Sequence, residues 1–514
     1  MTTICRSRHS FARKVIVAVM LVTTADIFFY WGGFGAVLGV FALAWVASLA
    51  WVHPQLRRHH GPRIALASAF LLGLILIDDP SFLAVVLCMI AIGTAVLLPR
   101  HVYDDAVRWF LRLAAFALIG LVRPVADARR IVILPTRDGV TLRNVAAALA
   151  PALIGGAIFI ALFASANPLL ARAFAFVRLP DNWSVVGHLI FWGFMLAILW
   201  PTLRPRSIRL GSAREAIPRN VRELPVGTLV LTLATFNALF AIENLLDIVF
   251  LWSNAPLPDG VTLADYAHRG AYTLIATALL AALFVLVALR PGGPAAEDKR
   301  VRRLVVLWIA QNVLLVASSV LRLSDYIQAY SMTVLRLSAL AWMALVAVGL
   351  ILICWRLVTG RSTSWLINAN ALAATLVLLI ASVVDLGAVA ASWNVRHARD
   401  ASDLDLCYLN RLGSAALLPL IELERRAGTA ELRDRATFLR EQTMNDLRWR
   451  QEDWRNWTWR GARRLSRAET LLGPSPRKPV AAPDGRACDG AIYPPSEPEP
   501  APSPQEPLTK GARQ

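Results

Sequence analysis

The sequence predicts an all-α, polytopic integral membrane protein with about eleven transmembrane helices, a short helical C-terminal domain and a disordered Pro-rich tail. Three observations carry this expectation. The 514-residue chain is 56% hydrophobic and only 17% charged, where a soluble domain averages about 45–50% and about 25%. The apolar residues fall in runs of roughly 17–25, the length that crosses a bilayer as helix. The Arg residues gather in alternate short loops, the pattern of loops that stay in the cytoplasm.

The spans read in order as 15–30, 34–52, 63–78, 81–98, 145–166, 185–203, 227–252, 270–290, 302–321, 333–356 and 365–391. Arg6, Arg8, Arg13 and Lys14 precede the first span and place the N-terminus in the cytoplasm. This basic start resembles a signal peptide. The apolar stretch behind it holds Asp26, lacks a small-x-small cleavage site and runs straight into a second apolar segment, so it reads as a retained span. Arg57, Arg58 and Arg63 mark the next cytoplasmic loop, and 204–223 is densely basic and inside. The stretch IDDPS (77–81) and the loops 253–268 and 323–331 lie outside. A span at 106–122 would carry Arg123, Arg129, Arg130, Arg137 and Arg143 outward, against this pattern. Arg108 and Arg112 share one helical face, so an amphipathic helix on the cytoplasmic surface fits better than a twelfth span.

The chain thus divides into an N-terminal group of four membrane helices (1–98), a cytoplasmic loop with an amphipathic helix (99–144), a main membrane domain of about seven helices (145–392), a helical Arg/Trp-rich region (393–472) and a disordered tail (473–514). An odd number of spans puts the tail outside, in the periplasm of a bacterial cell. Cys88 and Cys354 sit in apolar runs as small hydrophobes. Cys407 and Cys488 can pair if the tail meets an oxidising compartment. The net charge of +18 belongs to the membrane loops, since no nucleic-acid recognition motif accompanies it. The bilayer is the expected partner, with a further envelope protein at the outer loops and C-terminal region. Four tryptophans crowd RWRQEDWRNWTWR (448–460), an arrangement suited to the membrane surface more than to stacking on a sugar or base.

The polar stretch LPDGVTLADYAHRG (257–270) is a turn followed by a capped helix start. Asp259-Gly260 makes the turn, Thr262 and Asp265 have capping-box spacing, and Asp265 can pair with Arg269. Ionisable groups inside spans are costly and mark candidate sites. Asp26 and Asp385 read as lone. In span 227–252, Asn237, Glu243, Asn244 and Asp247 fall within a roughly 120° arc. Gln311, Arg322 and Asp325 share a roughly 60° arc two spans on, and Arg336 begins the next. An Arg322–Asp247 or Arg322–Glu243 pair would neutralise both charges. Two uses fit: a buried pair that fixes helix packing, or a water-filled site for a polar or anionic ligand or a proton relay.

Other motifs carry no chemistry. GGFGAVLG (32–39) has no βαβ unit around it, and Gly35 and Gly39 read as close packing or a turn. His53, His59 and His60 lack an acid or cysteine to complete a metal site. No cofactor motif is present.

Four separated segments carry a family resemblance: LPDGVTLADYAHRG, RLSDYIQAYSMTVLRL (322–337), DLDLCYLNRLG (403–413) and DWRNWTWRGAR (453–463). In this order they resemble the bacterial inner-membrane families catalogued as domain of unknown function 4153 and 4173, over roughly residues 15–465. The resemblance implies a many-helix membrane protein and assigns no reaction, substrate or catalytic residue. The leading expectation is a non-enzymatic envelope scaffold or sensor. A transporter or channel-like protein using the 237–247 stripe comes second. A membrane transferase with Glu243 or Asp247 as base comes last, since nothing shows the reach or tuned pKa a base needs.

Overall fold

The computed structural model describes residues 2–133, 182–207, 225–249, 280, 298–398 and 404–493. The described residues form helices, with no strand element among them. The helices are α1 (Thr2–Phe29), α2 (Val37–Val52), α3 (Gln55–Arg58), α4 (His60–Asp78), α5 (Phe82–Leu97), α6 (Ala106–Ile133), α7 (Asn182–Leu203) and α8 (Val226–Asp247). They continue as α9 (Lys299–Tyr330), α10 (Val334–Thr359), α11 (Thr363–Val383), α12 (Leu386–His397), α13 (Leu406–Arg411), α14 (Leu417–Arg426), α15 (Ala430–Glu452) and α16 (Trp459–Leu472). Side-chain oxygens cap several starts: Ser81 accepts from Ala84 N at 3.2 Å, and Asp405 from Tyr408 N at 2.8 Å.

Six described helices are long and apolar enough to cross a bilayer, namely α4, α7, α8, α9, α10 and α11. The chain is a membrane-embedded protein. Helices α2 and α5 are apolar but have 16 residues each, about 24 Å against a core of roughly 30 Å. The expected spans 145–166 and 270–290, apart from Leu280, lie outside the described residues, as do the 257–270 turn and residues 494–514. Two expectations need correction. The 365–391 run is not continuous helix: α11 ends at Val383 and Asp385 starts α12, accepting from Ala388 N at 2.9 Å. Asp26 and Asp385 are also not lone. Asp26 accepts from Trp192 Nε1 at 2.9 Å and lies 2.8 Å from His188 Nδ1, and Asp385 pairs with Arg464.

The described residues form two compact units, each assembled from separated stretches of chain. Of these residues, the first holds those within 2–326, 338–384 and 450–462. Within it, α1, α2, α4, α5, α6 and α7 surround a core of Trp45, Leu49, Ala69, Cys88, Ile92 and Leu203. Helices α1 and α7 run antiparallel. Phe11 meets Trp200 edge-on at 6.0 Å near one end, and Asp26 meets His188 near the other. Gly39 brings α2 against α4, where a Cβ would lie 2.5 Å from the Gly73 carbonyl oxygen.

One end of this bundle is basic. His53, just past α2, lies 3.0 Å through Nε2 from the Leu203 carbonyl at the end of α7, and it feels Lys14 and Arg100. Helix α6 reaches the same end twice. Trp109 Nε1 donates to Thr94 Oγ1 at 3.2 Å, one turn before α5 ends, and Asp127 pairs with Arg204 at 2.8 Å, just past α7. A helix that touches one end of a bundle at both of its halves lies across that end. It is longer than the expected 106–122, continuing through Pro124 to Ile133. Arg112 pairs with Asp104 at 2.9 Å, and Arg108 with Asp105 at 3.4 Å.

The opposite end is closed by residues 450–462. Gly35 N donates to Arg455 O at 2.8 Å and Ala36 N to Trp457 O at 2.7 Å. A Cβ on Gly35 would lie 2.5 Å from the Asn456 backbone carbon, so the glycine is required by close backbone approach. Arg460 donates to Asp78 Oδ2 at 2.9 Å, Asp79 Oδ2 at 2.8 Å and the Val383 carbonyl at 2.8 Å. The Trp-rich stretch therefore binds protein at this end, where Trp454 packs edge-on against Phe28 at 5.8 Å.

Of the described residues, the second unit holds those within 327–337, 385–449 and 463–493. Leu409, Ala416, Leu420, Ala436 and Leu439 form its core. Buried Arg440 pairs with Glu424 at 3.1 Å and donates to the Arg477 carbonyl at 2.6 Å. Cys407 and Cys488 form a disulfide. Arg486 pairs with Asp434 at 2.7 Å, and Val480 N donates to the same carboxylate at 2.7 Å. Residues 473–493 are thus held by charge pairs and a covalent bond, which corrects the expectation that disorder begins at Gly473.

Burial, then the neighbouring Lys14 charge, pushes the His53 imidazole from 6.5 down to about 4. The unfolded chain takes up this proton below about pH 6.5 and the folded one does not. Stability from His53 is therefore complete above pH 6.5 and is lost as pH falls towards 4, by about 3 kcal/mol at most. Thermal unfolding of the detergent-solubilised protein between pH 7 and pH 4.5 checks this, since His53→Gln is expected to flatten that part of the profile.

Candidate functional site

Helix α8 buries Asn237, Asn244 and Asp247 along one stripe. The spacing of seven and then three residues keeps them on one face of a helix. That face meets α9. Asn237 Nδ2 donates to its own-helix Leu233 carbonyl at 2.8 Å and to the Leu304 carbonyl at 3.0 Å. One heptad on, Asn244 Nδ2 donates to Phe240 O at 2.7 Å and to Gln311 O at 3.4 Å. Both cross-helix bonds join residues 67 apart, so α8 and α9 run parallel and in register. Leu233, Val305, Trp308, Ile309 and Val316 pack around the contact, and Phe240 meets Trp308 edge-on at 5.8 Å.

Because each amide NH2 faces carbonyl oxygens, the orientation of each side chain is fixed and its own oxygen points elsewhere. Asn237 Oδ1, Asn244 Oδ1, Asp247 Oδ2, Gln311 Oε1, Asn312 Oδ1 and Ser319 Oγ are buried, with no hydrogen-bond partner among the described residues. By the register of 67, Asn244, Asp247, Gln311 and Asn312 lie within about one turn of each other. Arg322 donates to Asp247 Oδ1, with side chains 10% and 4% exposed. The stripe is thus rich in oxygen acceptors around one neutralised ion pair. Such a set suits a cation or a proton better than an anion.

The remaining residues named from sequence are not part of this stripe. Glu243 and Asp325 are exposed. Arg336 belongs to the second unit, where it donates to the Tyr330 carbonyl at 2.5 Å and to the Ser331 carbonyl, closing the turn after α9. Ser331 adopts φ of 69° there. Asn312 and Ser319 were missed by sequence reasoning. Their heptad spacing within an apolar run was the available signal.

Removing one member of a buried ion pair strands the other, a loss of about 3–5 kcal/mol, whereas replacing both by apolar groups is often near neutral. Asp247→Leu is therefore expected to cost more stability than the Asp247→Leu/Arg322→Leu double variant. Thermal unfolding in a double-mutant cycle measures the difference, and additive losses would show that the pair is not coupled.

No curated protein and no solved structure matches the chain. The sequence model of the family described as domain of unknown function (DUF4153) matches residues 65–423. That match takes in most of α4, all of α5 through α13, the α8–α9 stripe and most of the second unit's core, so the chain belongs to the DUF4153 family.

Proposed function

We propose that this protein is a non-enzymatic scaffold or sensor of the bacterial inner membrane, with about eleven spans, a cytoplasmic N-terminus and a periplasmic C-terminal region. The Cys407–Cys488 disulfide carries the reading. Disulfides persist in oxidising compartments and are rare in the cytosol, so a bacterial chain that keeps one holds that unit outside. Two features of the first unit support the same orientation. Its basic end suits the cytoplasm, and residues 450–462 bind the opposite end through Arg460 and the Asp78–Asp79 pair. Helix α6 lies across the basic end, which favours a surface helix over a twelfth span and keeps the span count odd. The outer unit, closed by its disulfide, then offers a stable surface to an envelope partner.

In intact cells, a membrane-impermeant thiol reagent is expected to label Cys407 and Cys488 after mild reduction and not before. Labelling only after lysis would place the tail in the cytoplasm and remove the basis for this reading.

A second reading, a transporter or channel with a polar intramembrane site, is supported by the buried acceptor oxygens of α8 and α9. It predicts that Asn244→Cys, in a background with Cys5, Cys88 and Cys354 replaced, reacts with small aqueous thiol reagents. A cysteine that stays unreactive at 244 leaves α8 and α9 with a packing role alone.

A further inference from the structure

A different cluster, at the basic end of the first unit, is charged far out of balance. Asp127 on α6 is 2% exposed. It accepts from Arg206 at 2.6 Å and Trp200 Nε1 at 3.0 Å, and pairs with Arg204 at 2.8 Å. Arg123, one turn earlier on α6, is 6% exposed, and its Nη1 is buried with no hydrogen-bond partner among the described residues. Its guanidinium lies 5.5 Å over the Phe116 ring. Among the described residues, one carboxylate thus pairs with two guanidinium groups, and a third stands one turn away on α6.

The surroundings add positive charge. Burial, then repulsion from Arg204, Arg100 and Arg13, holds the Lys14 ammonium below its ordinary value. Burial, then Arg206, acts on Arg123 in the same direction, with Asp127 opposing. A guanidinium cannot relieve this by losing its proton. The cost of burial and of like charges at close range stays in the fold until an anion offsets it.

We propose that Arg123, Arg204 and Arg206 form a binding site for a phosphate-bearing anion. Each guanidinium presents five N–H donors in a planar fork, a geometry that matches phosphate oxygens two at a time. Asp127 holds Arg204 and Arg206 in place and uses one donor of each. Among the described residues the site carries an excess of two positive charges, which matches a phosphate group better than a single carboxylate. Arg204 and Arg206 have side chains 31% and 41% exposed, which leaves the site open from outside while Arg123 lines its buried side. Leu118, Ile119, Leu121 and Val122, just before Arg123, are exposed. Buried in the acyl boundary as an amphipathic helix would be, they bring Arg123 to headgroup level. The phosphate can belong to an acidic phospholipid or to a free ion.

The test uses the full chain in nanodiscs of zwitterionic phosphatidylcholine. One arm titrates inorganic phosphate against chloride at equal ionic strength, and the other introduces phosphatidylglycerol, with thermal unfolding and native mass spectrometry as readouts. Stabilisation by phosphatidylglycerol alone assigns a lipid headgroup, and stabilisation by inorganic phosphate assigns a free anion. Arg206→Gln is expected to weaken binding about tenfold, the loss of one charge-assisted hydrogen bond. Asp127→Asn, which removes the competing carboxylate, is expected to tighten it. Opposite shifts in two variants cannot come from misfolding. The proposal is overturned if the wild-type protein responds to neither anion, if Arg206→Gln responds as the wild type does, or if Asp127→Asn weakens binding.

Discussion

A backbone amide or a charged side chain in hydrocarbon has no water to turn to, and this constraint orders most of the molecule. The apolar runs meet it by forming helices, whose amides are satisfied within the segment. The polar groups that remain meet it by pairing across helices. Asn237 and Asn244 spend their donors on carbonyls of α9, Asp247 takes Arg322, and Asp26 takes Trp192 and His188. Each of these contacts joins residues far apart in sequence. The same groups that would be a liability alone therefore specify which helices are neighbours and in what register. The acceptor oxygens left over on α8 and α9 are where this matching stops.

Charge is sorted along the first unit as clearly as polarity is sorted across it. Lys14, His53, Arg100, Arg204 and Arg206 collect at one end, while Asp78 and Asp79 stand at the other and are met by Arg460. At the acidic end each charge has a partner of opposite sign. At the basic end one buried carboxylate serves several cations. Among the described residues the two ends thus differ in kind, the acidic one closed by protein and the basic one holding more cations than anions.

The helices were legible in the sequence because their signal is local. A run of apolar residues of sufficient length has few alternatives, and the cost of leaving a charge alone pointed Arg322 to Asp247 or Glu243, of which Asp247 is the partner. Glu243 shows the limit of such reasoning. It lies one residue from Asn244, and a helical wheel gives an arc without saying where the neighbouring helix touches it. The contact centres on 237, 244 and 247, which turns Glu243 outward. Asp385 was misplaced because apolar residues on both sides concealed a helix start. Residues 450–462 show a different limit. Their partners are backbone groups near Gly35, more than four hundred residues earlier, and tryptophan and arginine alone do not name them. Residues 473–493 have the composition of a flexible tail, and contacts with Asn410, Asp434, Arg435 and Arg440 together with the bond to Cys407 hold them.

The bond between Arg455 and the Ile27 carbonyl spans 428 residues. Its consequence lies in the order of synthesis. At roughly 5–20 residues per second, the ribosome delivers Arg455 on the order of 20–90 s after the α1–α2 turn has been made. During that interval the amides of Gly35 and Ala36 face the interface without their carbonyl partners, and the acids at Asp78 and Asp79 stand without Arg460. Insertion of the early helices and completion of the α1–α2 turn are thus separate events in time. A chain interrupted before residue 450 carries an assembled bundle whose far end is still open, and that opening distinguishes a nascent copy from a finished one.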